Sequence, residues 1–380
     1  MFRPVPKHRL GDILPVLIGN HSKAGANSSR NGRTGQMLQP RFATLALAAA
    51  LAAAQSCAAA DNPVRISADS TRAALRRIAT EPEISVYLHA VADRACRRFK
   101  EAGLTRDSLA IALILDEEDR EPVIGGYNMN RPFYPASVVK LCYALALEEA
   151  FADGRVARTP EVLRDLDLML RVSSNAATNR ILDILTGTES GPELEAAELA
   201  EFAAKRQAVN EYLRRLGLRD INACQKTWDD APFGRDLQFL GPNYENRNRM
   251  TAADTARLLW IIKRGKAVSR PACAEILKHM RRRPGDPKDI QARRIGGGIP
   301  SGSSLWSKAG WTSSTNHDAA YVELPIGSPF VLVVFTNTSY KYAEIPAWIA
   351  KEIVQAIQLD RIRPKFTPAT IRMAPPAGGR

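Results

Sequence analysis

The chain has 380 residues, 45% of them hydrophobic and 24% charged, a globular composition with material for a sizeable core in one large domain or two that share it. The net charge of +13 is uneven, with six of the surplus charges inside residues 1–60. The modest remainder forms no basic cluster with interleaved aromatics, which argues against a nucleic-acid partner. Beyond residue 60 no stretch approaches 18 apolar residues, so no stable membrane span is expected.

The leader comes first. Arg41 precedes an apolar run of about 12 residues that ends in small residues at Ala58-Ala59-Ala60, the pattern of a secretory signal peptide. Cleavage is expected after Ala60, giving an exported protein, periplasmic or secreted. Cys57 supplies the alternative of a lipid anchor, although Ala54-Gln55-Ser56 lacks the large aliphatic residue of that signal. The residues before Met37 are too polar and irregular for an n-region, so Met37 is read as the true start. Four cysteines follow the leader, Cys96, Cys142, Cys224 and Cys273. An exported chain could pair them, but their spacing assigns no pair.

Along the mature chain, helical periodicity runs through residues 66–106 as one or two helices. Ser108–Leu115 and Val123–Asn128 read as a hairpin around a polar turn. An apolar helix follows Tyr134-Pro135 and ends near Gly154, and further helices are expected over 160–172 and 176–185. The Glu-rich run 189–201 reads as the solvated face of a helical insertion. A helix over 207–216 precedes a long ordered loop, 220–249, of the kind that usually carries function. Helices over 252–263 and 271–280, strands over 305–311, 319–324 and 329–336, and a closing helix over 345–359 complete the domain, 61–362. The Pro-rich tail, 363–380, reads as loose. Strands at both ends and helices between predict an α+β fold of two lobes: one antiparallel five-stranded sheet flanked by helices, and an all-helical lobe.

Three short patterns stand in order. Ser137 and Lys140 lie three apart, one helical turn on one face. A serine hydroxyl needs a base to become a nucleophile, and a lysine drawn into an apolar helix face can lose its charge and serve as that base. Ser173-x-Asn175 lies between two helices, and Lys308-Ala309-Gly310 lies on a strand. Each is weak alone: the leader also holds Lys23-Ala24-Gly25 and Ser29-Arg30-Asn31. Order and structural context give them weight. With the flanking Met169–Asn179 and Arg249–Asp254 segments, the chain resembles the serine β-lactamase and penicillin-binding superfamily, and within it class A β-lactamases, over roughly 108–359.

The resemblance implies roles. Ser137 would be acylated, Lys140 would take its proton, and Ser173 would pass a proton to the leaving nitrogen. Asn175 would hold the substrate amide, and Lys308 would attract a substrate carboxylate. Gly310 would let substrate approach the strand, and the N–H groups of Ser137 and Trp311 would form the oxyanion hole. It implies a small-molecule β-lactam or peptidoglycan-peptide substrate, a monomer, and no cofactor. Ala309 replaces the family's usual Thr or Ser, removing a hydroxyl contact of roughly 1 kcal/mol.

Two departures bear on function. Ser173 follows Ser137 after only 36 residues, which predicts a shortened pocket wall and an open cleft. The glutamate that activates the deacylating water in class A enzymes has no counterpart in 220–249, where Asp229, Asp230 and Glu245 are the candidates and Asp229 comes first. A D-alanyl-D-alanine carboxypeptidase or esterase, and a β-lactam-binding protein without turnover, therefore stand beside a β-lactamase. No Gly-x-Ser-x-Gly elbow occurs, against an α/β-hydrolase. His89, His279 and His317 lack metal spacing, so no metal is expected. Trp306 reads as core and Trp311 as pocket lining.

Overall fold

The computed structural model describes residues 63–362. The expectations placed on Met37, Cys57, Ala60 and the 363–380 tail lie outside those residues. Helix α1 (Ala68–Arg76) starts at Ser67, whose hydroxyl accepts the Ser70 N–H, satisfying one of the donors that a helix start leaves open. A two-residue strand, β1 (Ala79–Thr80), separates it from α2 (Pro82–Arg98). The hairpin is β2 (Leu109–Leu115) and β3 (Val123–Tyr127). After β4 (Pro132–Phe133) come α3 (Lys140–Ala152), α4 (Pro160–Arg171) and α5 (Asn175–Thr186). The insertion forms α6 (Ala196–Arg206) and runs into α7 (Ala208–Leu216). Then follow β5 (Ile221–Asn222), α8 (Gly234–Leu240), β6 (Arg249–Thr251), α9 (Ala252–Lys263) and α10 (Arg270–Met280). Strands β7 (Arg281–Arg282), β8 (Ser304–Trp311), β9 (Asn316–Glu323) and β10 (Phe330–Thr336) precede the closing helix α11 (Glu344–Gln358).

The main sheet has seven strands, in the order β1-β3-β2-β10-β9-β8-β7, rather than the five expected. The five long strands are those read from the sequence. The two added at the edges, β1 and β7, are two residues each and too short to show an alternation. All pairings are antiparallel except β1 with β3. A second small sheet, β4-β6-β5, fastens the long loop. That loop is not wholly irregular: α8 interrupts it, seven residues long and without a capping side chain, held by Phe239 against Phe202 at 5.8 Å.

Period-2 geometry divides the core. Leu109, Ile111, Leu113 and Leu115 face the layer of α2 and α11, and Ala110, Ala112 and Ile114 face the helical lobe. Each fully buried Leu or Ile contributes about 1.5–3 kcal/mol. Helix α3 is apolar on every side and buried almost throughout, so it forms the axis of that lobe. Its first residue, Lys140, is drawn inside with it. Trp306 is core, as expected, and Lys263 Nζ lies 3.6 Å over its ring. The acidic residues of 189–201 are solvated, but Arg206 at the end of α6 is fully buried and pairs with Asp236 at 2.9 Å. Among the described residues the four cysteines are free and no helix is long and apolar enough to cross a membrane.

Candidate active site

Ser137 lies in a 3₁₀ turn, Ala136–Val139, that leads into α3. Ala136 before it has φ 46°, a left-handed conformation that costs a non-glycine residue about 1–3 kcal/mol. Two strands hold the turn in place. From β9, His317 Nε2 donates to Tyr134 O at 2.9 Å while its Nδ1 accepts the Thr336 N–H at 3.0 Å. Burial lowers the His317 pKa to about 4 and keeps the imidazole neutral. From β8, Gly310 presses on the turn itself. A Cβ there would lie 2.5 Å from Pro135 O and 2.7 Å from Ser137 N.

Beyond its pairing with β7 at Leu305 and Trp306, the edge of β8 is open next to the Ser137 turn on which Gly310 packs. Ser307 O accepts from Arg282 Nε at 3.1 Å and Ala309 N donates to Gln291 Oε1 at 3.2 Å, both on this edge. Strand alternation puts the Trp311 N–H on the same edge. The Ser137 hydroxyl has no hydrogen-bond partner among the described residues.

Lys140 is fully buried. Its Nζ donates to Ser173 O at 2.6 Å and Asn175 Oδ1 at 2.8 Å and lies 3.2 Å from Ser173 Oγ. Desolvation lowers its pKa to about 7, with the Asp229 carboxylate opposing the shift. At neutral pH a large fraction of this amine is therefore uncharged and has a lone pair for a proton. Lys308 Nζ approaches the same Ser173 hydroxyl at 3.0 Å. It also donates to Gln291 Oε1 at 2.9 Å and Ala309 O at 2.7 Å, so all three positions around its nitrogen, N–H or lone pair, are taken. Burial, and then the nearby charges of Lys140 and Arg282, hold its pKa well below the ordinary lysine value. Ser173 itself has φ 62°, which turns its hydroxyl toward both amines before Ser174 caps α5 by accepting the Ala177 N–H at 3.2 Å.

Asn175 links this cluster to the long loop: its Nδ2 donates to Asp229 Oδ1 at 2.6 Å. The loop is fastened at its base by Asn248, whose Oδ1 accepts from Cys224 N and Gln225 N at 3.0 and 2.9 Å. Asn179 holds it higher up, accepting from Thr227 N at 2.9 Å. A cleft of about 910 Å³ opens over the site, lined by Ser137, Ser173, Asn175, Asp229, Trp311 and residues of the loop. Lys140, Lys308 and Gly310 lie behind that lining. Asp230 is at the cleft wall, whereas Glu245 is bonded to Asn243 at 3.0 Å and does not line the cleft.

Residues 159–357 match the model of the β-lactamase enzyme family, just over half of the chain. The chain belongs to the β-lactamase enzyme family. The match takes in Ser173, Asn175, Asp229 and Lys308 of this β-lactamase-family protein and begins after Ser137 and Lys140, which join that segment through the contacts above. Among solved structures, a β-lactamase from Sphaerobacter thermophilus is 22% identical, with 72% of this chain and 98% of that one covered and a TM-score of 0.53. A variant of the last-common-ancestor class A β-lactamase of Gram-negative bacteria is 19% identical, covers 70% and 98%, and has a TM-score of 0.51. These likenesses establish a β-lactamase fold. No curated protein matches the chain.

Several residues at the site of this β-lactamase-family chain gave no signal in the sequence. Gln291 joins Lys308 and Ala309 to the end of α4, donating to Arg171 O at 2.9 Å. Arg282 does the same, donating to Leu170 O at 2.9 Å and Ser307 O at 3.1 Å. Both satisfy carbonyls that a helix C-terminus leaves open. Gln291 sits on an irregular polar stretch and Arg282 in the two-residue β7, and no periodicity marks either side chain as buried. Asn248 stands just before the Arg249-Met250-Thr251 segment, the only hint of its place.

Proposed function

We propose that the chain is a serine hydrolase that opens β-lactam amides through a Ser137 acyl-enzyme. Neutral Lys140 takes the Ser137 proton, and Oγ attacks the carbonyl carbon. The carbonyl electrons move to oxygen, where the N–H groups of Ser137 and Trp311 stabilise the charge. On collapse the C–N bond breaks. Ser173 gives its proton to the leaving nitrogen and regains one from the lysine amines beside it. Water then attacks the ester, losing its proton to Asp229; as the C–O bond to Ser137 breaks, its electrons pass to Oγ, which takes up that proton, and Asp229 is again a carboxylate. The observation that carries this reading is the convergence of two buried lysine amines, 3.2 and 3.0 Å away, on the Ser173 hydroxyl. The leader supports a site of action outside the cytoplasm.

A second reading, a D-alanyl-D-alanine peptidase or esterase, is favoured by Asp229, which is exposed and already bonded to Asn175 where class A enzymes carry a glutamate. The purified protein should be mixed with a chromogenic β-lactam while turnover and intact mass are followed. Rapid turnover without trapped adduct supports the β-lactamase. A stable one-to-one adduct supports the peptidase or a non-turnover binder. Turnover that survives Ser137→Ala removes both.

A further inference from the structure

Two features of the Lys308 motif leave it no free hydrogen-bond donor for a substrate anion. Lys308 is fully buried and all three positions around its nitrogen are taken by Ser173, Gln291 and Ala309. Ala309 has no hydroxyl. Neither residue offers a donor to a substrate anion. The cleft nevertheless holds a cation. Arg247 lines it, and among the described residues it is the only cationic side chain that does. It is exposed, and no carboxylate of the described residues lies within ion-pair distance of it. It is not loose, because its guanidinium stacks over the ring of Tyr134 at 4.1 Å and lies 6.0 Å from the ring of Tyr244. Such stacking orients the planar fork while leaving its edge N–H groups for a carboxylate.

The position of Arg247 indicates which half of a substrate it meets. In the acylation proposed above, Ser173 protonates the leaving nitrogen, so the leaving half lies toward Ser173 and Lys308. Arg247 stands with Tyr134, three residues before Ser137, and with Tyr244 of the long loop, and has no bond to Ser173 or Lys308, so it is assigned to the half that stays on Ser137. We propose that Arg247 is the anion-recognition residue of this site, and that its preferred acyl donors carry a carboxylate on the half retained by Ser137. This rests on the acyl-enzyme reading for the orientation of the substrate.

Carbenicillin and benzylpenicillin test it, because they differ only by a carboxylate on the acyl-side carbon. Second-order acylation rates would be measured by intact mass for the wild type, Arg247→Gln and Arg247→Lys. The expected result is that Arg247→Gln slows carbenicillin about tenfold or more and leaves benzylpenicillin within about twofold, with partial recovery in Arg247→Lys. Equal loss for both compounds, or no loss for either, overturns the proposal. A second readout needs no acylation: binding of phenylmalonate and phenylacetate, followed by the fluorescence of Trp228 and Trp311 in the cleft. If neither penicillin acylates the wild type, the acyl-enzyme reading fails, and this readout decides on Arg247 alone. Tighter binding of phenylmalonate that is lost in Arg247→Gln supports anion recognition there, and unchanged binding overturns it.

Discussion

The side-chain amide of Asn175 donates to the carboxylate of Asp229 at 2.6 Å, while its oxygen accepts from Lys140 at 2.8 Å. One amide thus ties the proposed base of acylation to the proposed base of deacylation. Asp229→Ala should leave acylation within about tenfold of wild type and slow release by about 100-fold, so that the acyl adduct accumulates in the mass spectrum. Unchanged release would remove Asp229 from the mechanism and leave Asp230 as the carboxylate at the cleft wall.

Acylation should depend on pH through Lys140. Its pKa is lowered to about 7, so below that value the amine is protonated and cannot accept the Ser137 proton. The acylation rate is expected to rise with pH through a midpoint near 7 and then level off. Lys140→Ala should lower the plateau about 10²- to 10⁴-fold. A rate that is flat from pH 6 to 8.5 would show that another group is the base.

Gly310 tests the contact between the sheet and the nucleophile turn. In Gly310→Ala the new Cβ meets backbone atoms at 2.5 and 2.7 Å, and backbone cannot swing aside as a side chain end can. Overpacking of this kind costs about 1–3 kcal/mol, which thermal denaturation would register. Acylation should fall further than stability predicts, because the displaced atoms include the Ser137 N–H.

Gln291→Leu keeps the volume and removes the polar contacts. Lys308 Nζ, Ala309 N and the Arg171 carbonyl each lose a partner, and an unsatisfied buried group costs about 1–3 kcal/mol. Denaturant unfolding is expected to show a loss of at least that size. A neutral outcome would mean that water replaces the side chain.

His317 should make the fold sensitive to acid. Its pKa is about 4 when folded and about 6.5 when unfolded. Between those values the unfolded chain binds a proton that the folded chain does not, so stability falls as pH drops across that window. Asp318, raised to about 6 by burial, acts in the opposite sense, so the comparison must be with His317→Gln. That variant should lose less stability than wild type between pH 6.5 and 4 in parallel denaturant titrations.

What could be read in the chain beforehand follows from where physics is local. The five long strands and most helices show as periodicity, and Ser137, Lys140, Ser173, Asn175 and Lys308 as short patterns in a fixed order. Strands β1 and β7 pair through two residues each, and such pairing is decided by the sheet they join. The short helix α8 depends on Phe202, which belongs to the insertion. Gln291 and Arg282 act through their side-chain reach into a helix end far along the chain, which no spacing records. The hydrogen bonds of Lys308 could not be counted without Gln291, which lies 17 residues away on a stretch with no periodicity to place it.

Strand β2 pairs along its whole length with β10, which is both the central strand of the sheet and the last of the chain, and the two groups that meet at Ser173 and Lys308 are 135 residues apart. During synthesis the nucleophile, its base and Asn175 emerge long before the strand that carries the second lysine and Trp311. Closure of such distant pairings is slow, because loop entropy is lost before the contacts form. Reactivity therefore arrives with the final strands, and an acylating probe added during refolding would time the completion of the sheet.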